Sequence, residues 1–153
     1  MAMEKTIFLE SIEATNHFGE KISHLLKPGD LFYFRGDLGS GKTACVRAIM
    51  KGLGFNGRVK SPTYSLFEQY ELSLTINHFD LYRFKSSQEW EDAGFSEFIN
   101  SHSVTIIEWP EMASKILPKP DLYLHFFHHN DMSRNLKITS QSKRGDECID
   151  CLG

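Results

Sequence analysis

A single α/β domain, with helices flanking a mixed central sheet and hairpins adding antiparallel strands to one edge, is the fold this sequence predicts. Three observations carry it. Compact apolar runs at 30–35 (Asp-Leu-Phe-Tyr-Phe-Arg) and 104–107 (Val-Thr-Ile-Ile) have the character of strands covered on both faces. Stretches with apolar residues at helical spacing lie between such runs. The chain has 153 residues, 41% of them hydrophobic, enough for one sizeable core and not for two.

Residues 5–9 (Lys-Thr-Ile-Phe-Leu) read as a short strand, and Ser11 as the cap of a helix whose apolar positions are Ile12, Phe18, Ile22, Leu25 and Leu26. Pro28 and Gly29 end that helix. After the buried strand at 30–35 comes a Gly-rich turn, then a helix over 44–53 with Val46, Ile49, Met50 and Leu53 on one face. The runs 65–70 and 74–79, separated by Glu71, Leu72 and Ser73, predict an antiparallel hairpin. Ser86 and Glu89 form a capping box that opens a helix through about Ile99. The strand at 104–107 stops at Trp109-Pro110, and 121–127 with 134–139 form a last hairpin around 129–131. Residues 1–140 are thus assigned to one domain and 141–153 to a polar, flexible tail, in which Cys148 and Cys151 are reduced, silent thiols.

Charged residues make up 24%, the net charge is −3 and the pI is near 6.1, a balance that argues against unaided nucleic-acid binding and for no DNA partner. Arg47, Lys51, Arg58 and Lys60 cluster in sequence; an ordinary solvated basic face is the favoured reading over an RNA contact. No run approaches the length needed to cross a bilayer and the N-terminus lacks a signal-peptide core, so a cytoplasmic protein is expected.

The most specific signal is Gly36-Asp37-Leu38-Gly39-Ser40-Gly41-Lys42-Thr43, a full match to G-x-x-x-x-G-K-[ST]. Such a loop must curl so that successive backbone N–H groups point at phosphate oxygens, and side chains at the glycine positions obstruct that. The following helix adds its positive end. Lys42 then offers charge to the outer phosphates and the Thr43 hydroxyl is a magnesium ligand. A buried strand before the loop and an amphipathic helix after it supply the required context, and the fold class sharpens to a single-domain P-loop NTPase. Two carboxylates end strands that can open onto this crevice, Glu108 and Asp80; one is expected on the metal and one on the attacking water. No Asn-Lys-x-Asp guanine reader is present, which favours ATP over GTP.

Four motifs in order are Gly36 to Thr43, then Lys60-Ser61-Pro62-Thr63-Tyr64, then His78-Phe79-Asp80-Leu81-Tyr82-Arg83, then Glu108-Trp109-Pro110. Over roughly residues 5–140 the chain resembles the TsaE (YjeE) family. The resemblance implies an ATPase of tRNA threonylcarbamoyladenosine biosynthesis that works with TsaB and TsaD on the adenosine beside the anticodon, touching tRNA only through that complex. It implies ATP and magnesium as ligands, Lys42 as a phosphate-binding group, Thr43 and Glu108 as metal ligands, and Asp80 as a second acidic group needed for hydrolysis and counted with them at the metal; Lys42, Asp80 and Glu108 are the catalytic set. It further places Thr63 in a switch loop near the γ-phosphate, Trp109 beside the site, and Ser11 and Arg134 in contact with the nucleotide, together with the loop residues Asp37, Leu38, Gly39, Ser40 and Gly41. A nucleoside kinase is the rival enzyme, disfavoured because the 111–140 region carries only Arg134 where an Arg-rich lid is expected.

Overall fold

The computed structural model describes residues 3–59 and 66–152. Seven strands form one sheet: β1 (Glu4–Leu9), β2 (Leu31–Arg35), β3 (Phe67–Glu71), β4 (Thr75–Asp80), β5 (Ser103–Glu108), β6 (Leu122–His128) and β7 (Arg134–Ser140), in the order β1-β7-β6-β2-β5-β4-β3. The centre is parallel, β2 pairing with both β5 and β6 and β4 with β5. Antiparallel additions flank it on both edges, β3 beyond β4 and β7 with β1 beyond β6, where the sequence predicts hairpin additions at one edge only. Both expected hairpins form. Which edge each joins depends on the partner of β6, and that partner is β2, ninety residues earlier in the chain.

The strands at the centre are apolar on both faces because both are covered. Phe32 and Phe34 of β2 point into a core with α1 (Ile12–Leu25) and α2 (Lys42–Gly52), while Leu31 and Tyr33 point the other way, against Phe79, Trp90 and Ile107. Helices α1 and α2 pack so closely that a Cβ on Gly19 would stand 2.4 Å from the Ala48 Cβ and 3.0 Å from the Cys45 carbonyl oxygen. Ser11 caps α1 as expected, its Oγ accepting from the Ala14 N–H at 3.1 Å. The helix expected through Ile99 is shorter: α3 (Gln88–Asp92) stops before Gly94, whose φ is +71°, and a 3₁₀ turn over Phe95–Phe98 follows. Glu89 Oε2 does reach back to the Ser86 N–H at 3.1 Å, so the capping half of the expectation stands.

The flexible tail expected at 141–153 is corrected. Lys143–Leu152 is a helix, α4, packed on β7 and α1; its Cys148, Ile149 and Leu152 join the core, and Gly145 is buried against the Asp121 carbonyl. Cys148 faces that core, where burial pushes its thiol up to about 12, and Cys151 is exposed. Arg144 anchors the helix, donating from Nε to Asp30 Oδ1 at 2.8 Å, from Nη2 to Asp30 Oδ2 at 3.0 Å and to the Leu25 carbonyl. Asp30 is buried, its remaining support being the Lys27 N–H at 2.8 Å. Arg144→Ala leaves that carboxylate without its cation and is expected to cost about 2–3 kcal/mol. Urea unfolding checks it; a loss below about 0.5 kcal/mol, the range of an ordinary surface substitution, would mean that α4 is not held this way. No helix among the described residues is long and apolar enough to cross a membrane.

Candidate functional site

The parallel strands β2, β4 and β5 end side by side, and the chain leaves β2 directly into the loop Gly36–Lys42. Here lies a cleft of about 460 Å³, the position at which open α/β sheets bind ligands. The loop's shape depends on its glycines. Gly36 has φ +152°, and a Cβ there would stand 2.5 Å from Ser40 Oγ and 2.6 Å from the Phe126 carbonyl oxygen. Gly41, at φ +105°, is the N-cap of α2 and adopts a conformation that other residues reach only with strain. The first turn of α2 has no acidic residue and no side-chain cap, so its N–H groups are left to a ligand. Ser40 Oγ is buried with no hydrogen-bond partner, a second polar group that the protein leaves unpaired at this place.

Lys42 folds back over the loop. Its Nζ donates to the Gly36 carbonyl and sits 3.9 Å from the centroid of the Trp109 ring. Burial holds its ammonium below the usual lysine range, against the upward pull of Glu108, Asp80, Glu111 and Asp37. Trp109 is left-handed (φ +59°), and its N–H donates to the Phe34 carbonyl at 3.2 Å, which ties the end of β5 to the end of β2. Tyr82 packs against the same ring, centroids 5.0 Å apart.

The two expected carboxylates meet. Asp80 and Glu108 are register partners on adjacent parallel strands, both are buried, and both line the cleft. Glu108 Oε1 accepts from Thr43 Oγ1 at 3.4 Å, and Asp80 Oδ1 accepts from the Tyr82 N–H at 2.9 Å. Thr43, Asp80 and Glu108 are hard oxygen donors. Among the described residues no cluster of three or more acidic, His or Cys side chains forms a self-sufficient metal cage. A small hard dication fits such a set when a bound anion and water supply its remaining ligands.

Leu38, Gly39, Ser40 and Gly41 all line the cleft with Lys42 and Thr43. Asp37 is exposed on the outer side of the loop, its carbonyl accepting from the Ser40 N–H at 3.1 Å. Arg134 stands on the wall with its guanidinium engaged by the loop itself, Nε on the Ser40 carbonyl at 3.0 Å and Nη2 on the Gly39 carbonyl at 3.0 Å. Ser11 is not on the wall; its hydroxyl is occupied in capping α1, whose Ile12 and Thr15 are. Thr63 and the rest of 60–65 lie outside the described residues. Sequence reasoning missed Ile12, Thr15 and Met132 as lining residues and placed Arg47, which also lines the cleft, on a solvated face. It also missed His78, fully buried beneath Glu108 with Nε2 2.6 Å from Glu108 Oε2.

The family model for the threonylcarbamoyl adenosine biosynthesis protein TsaE matches residues 9–136. The tRNA threonylcarbamoyladenosine biosynthesis protein TsaE of Haemophilus influenzae is 37% identical over 138 residues, covering 86% of this chain and 87% of its own. Its Bacillus subtilis counterpart is 31% identical over 133 residues, with 86% and 83% covered. Among solved structures, Bacillus subtilis YdiB superposes with a TM-score of 0.84 over 99% of this chain and 95% of its own, at 24% identity, which speaks for the fold.

Proposed function

We propose, from the premise that this chain belongs to the TsaE family of tRNA threonylcarbamoyladenosine biosynthesis proteins, that it binds ATP with magnesium in the cleft at Gly36–Thr43 and hydrolyses it in service of that modification. The observation that carries the reading is the convergence at one cleft of an emptied amide cradle, a buried lysine and two carboxylates in register. The α and β phosphates take the loop N–H groups and the Ser40 hydroxyl. Lys42 gives up its bond to the Gly36 carbonyl for the outer phosphates, and the triphosphate's charge offsets the burial of its ammonium.

Thr43 and Glu108 would hold a magnesium ion, which would supply charge neutralisation at the outer phosphates. Asp80 then orients the attacking water from the neighbouring strand. Arg134 is tied to the Gly39 and Ser40 carbonyls, so it steadies the loop more than it meets developing charge on the γ-phosphate. Hydrolysis by the isolated chain is therefore slow, and a partner supplies what is missing. The partners proposed are TsaB and TsaD, with tRNA met through them and hydrolysis resetting the assembly between turnovers.

The test is an in vitro modification assay with TsaB, TsaD, threonylcarbamoyl-adenylate, substrate tRNA and ATP. Adding this protein is expected to convert a single round into many turnovers and to change the ATPase rate as TsaB and TsaD are titrated. An unchanged yield together with a flat ATPase titration would reject the reading.

A further inference from the structure

His78 lies on β4, two residues before Asp80, and therefore on the same face of the sheet. It is fully buried, and its Nε2 stands 2.6 Å from Glu108 Oε2, with Glu108 itself 1% exposed. Its other ring nitrogen, Nδ1, is buried with no hydrogen-bond partner. An imidazole in a core layer with one nitrogen unpaired is a poor way to fill space, since desolvation of the ring goes uncompensated on that side. Among the described residues its one polar contact is Glu108. The short distance to a carboxylate oxygen places a proton on Nε2.

That bond settles which oxygen of Glu108 is presented to the cleft. With Oε2 engaged by His78, Oε1 is the oxygen on the P-loop side, 3.4 Å from the Thr43 hydroxyl. We propose that His78 is a positioning residue: its Nε2–H fixes the Glu108 carboxylate so that Oε1 and Thr43 Oγ1 together face a metal–nucleotide ligand. A hydrogen bond from behind orients a ligating carboxylate as it orients a ligating histidine, and losing such a partner costs about 10–100-fold in metal affinity or activity. The proposal rests on the nucleotide reading above.

Three variants separate positioning from packing. His78→Gln keeps an N–H donor at about the reach of Nε2, His78→Asn carries its donor too short to touch Glu108, and His78→Leu keeps bulk with no donor. Each is titrated with Mn²⁺ in the presence of ADP by electron paramagnetic resonance, with ADP in EDTA, and assayed for kcat and KM of ATP hydrolysis. The leucine and asparagine variants are expected to lose about 10–100-fold in Mn²⁺ affinity and in kcat, with ADP affinity in EDTA unchanged. The glutamine variant is expected to recover most of both. Should the leucine variant fail to fold, the contrast between asparagine and glutamine carries the test, since both place an amide at the same site. Equal Mn²⁺ affinity in those two, or a folded leucine variant that binds Mn²⁺ as the wild type does, overturns the proposal. A wild type that binds no ADP would sink the nucleotide reading and this proposal with it, whereas a binding wild type with indifferent variants sinks the proposal alone.

Discussion

Lys42→Ala is expected to reduce ATP hydrolysis by about a thousandfold while leaving the fold intact, a loss of roughly 4 kcal/mol in transition-state stabilisation. The activity should fall because, on the proposed function, the amide cradle of the loop is neutral and Lys42 is the full positive charge that such a motif directs at the outer phosphates. The fold should survive because burial of the ammonium already works against stability: desolvation holds it below the usual lysine range despite four carboxylates pulling it up. Removing it releases that penalty, and what is lost is a bond to the Gly36 carbonyl and a contact with the Trp109 ring. Lys42→Arg should not restore activity, since a guanidinium is drawn to stack on the Trp109 ring, whose centroid is 3.9 Å from Nζ, and presents a planar fork where lysine presents a compact point charge. Steady-state phosphate release and a thermal melt measure the two halves. Hydrolysis within about tenfold of wild type would remove Lys42 from the mechanism. In the modification assay the alanine variant should support a single round at most.

The loop Gly36–Thr43 was legible because the whole device is local, eight consecutive residues between a strand and a helix, with each glycine answering to a backbone angle or a close approach. Asp80 and Glu108 were legible one at a time, each ending a strand; that they stand side by side needs the β4–β5 pairing, which no short window contains. Arg134 is the same kind of case. Its hydrogen bonds to Gly39 and Ser40 cross more than ninety residues and brace the loop from the wall of the cleft. His78 carried a fainter signal: His-x-Asp on a strand puts both side chains on one face, so a residue two before a functional Asp is its neighbour on that face.

The α4 helix was in the sequence as well. Gly145, Cys148, Ile149 and Leu152 fall at i, i+3, i+4 and i+7, a narrow apolar stripe. The average polarity of the segment hid it, and its anchor, Asp30 for Arg144, lies just before β2, more than a hundred residues away.

Glu108→Gln is expected to lower the hydrolysis rate by about a hundredfold or more and to shift its magnesium dependence upward, with nucleotide affinity in EDTA retained or tightened. Glutamine is nearly isosteric with glutamate, so its carbonyl can still accept from His78 Nε2 and the packing around β5 is kept. The charge goes, and with the carbonyl held by His78 an NH2 donor replaces Oε1 beside Thr43. In metal-free conditions that charge opposes a triphosphate and its loss can only help binding; with magnesium present its loss removes a ligand for the metal, and the two conditions must therefore move in opposite directions. A variant that merely unfolded the site would weaken both together.

The neighbouring Asp80→Asn is expected to act on a different step. Asp80 and Glu108 are register partners across one strand pair, so their charges share one cleft and their substitutions should not add. If Glu108 holds the metal and Asp80 orients water, Glu108→Gln shifts the magnesium requirement while Asp80→Asn lowers kcat at saturating magnesium. Identical magnesium curves for the two variants would mean that the carboxylates form one shared metal site, and the division of labour proposed between them would fall.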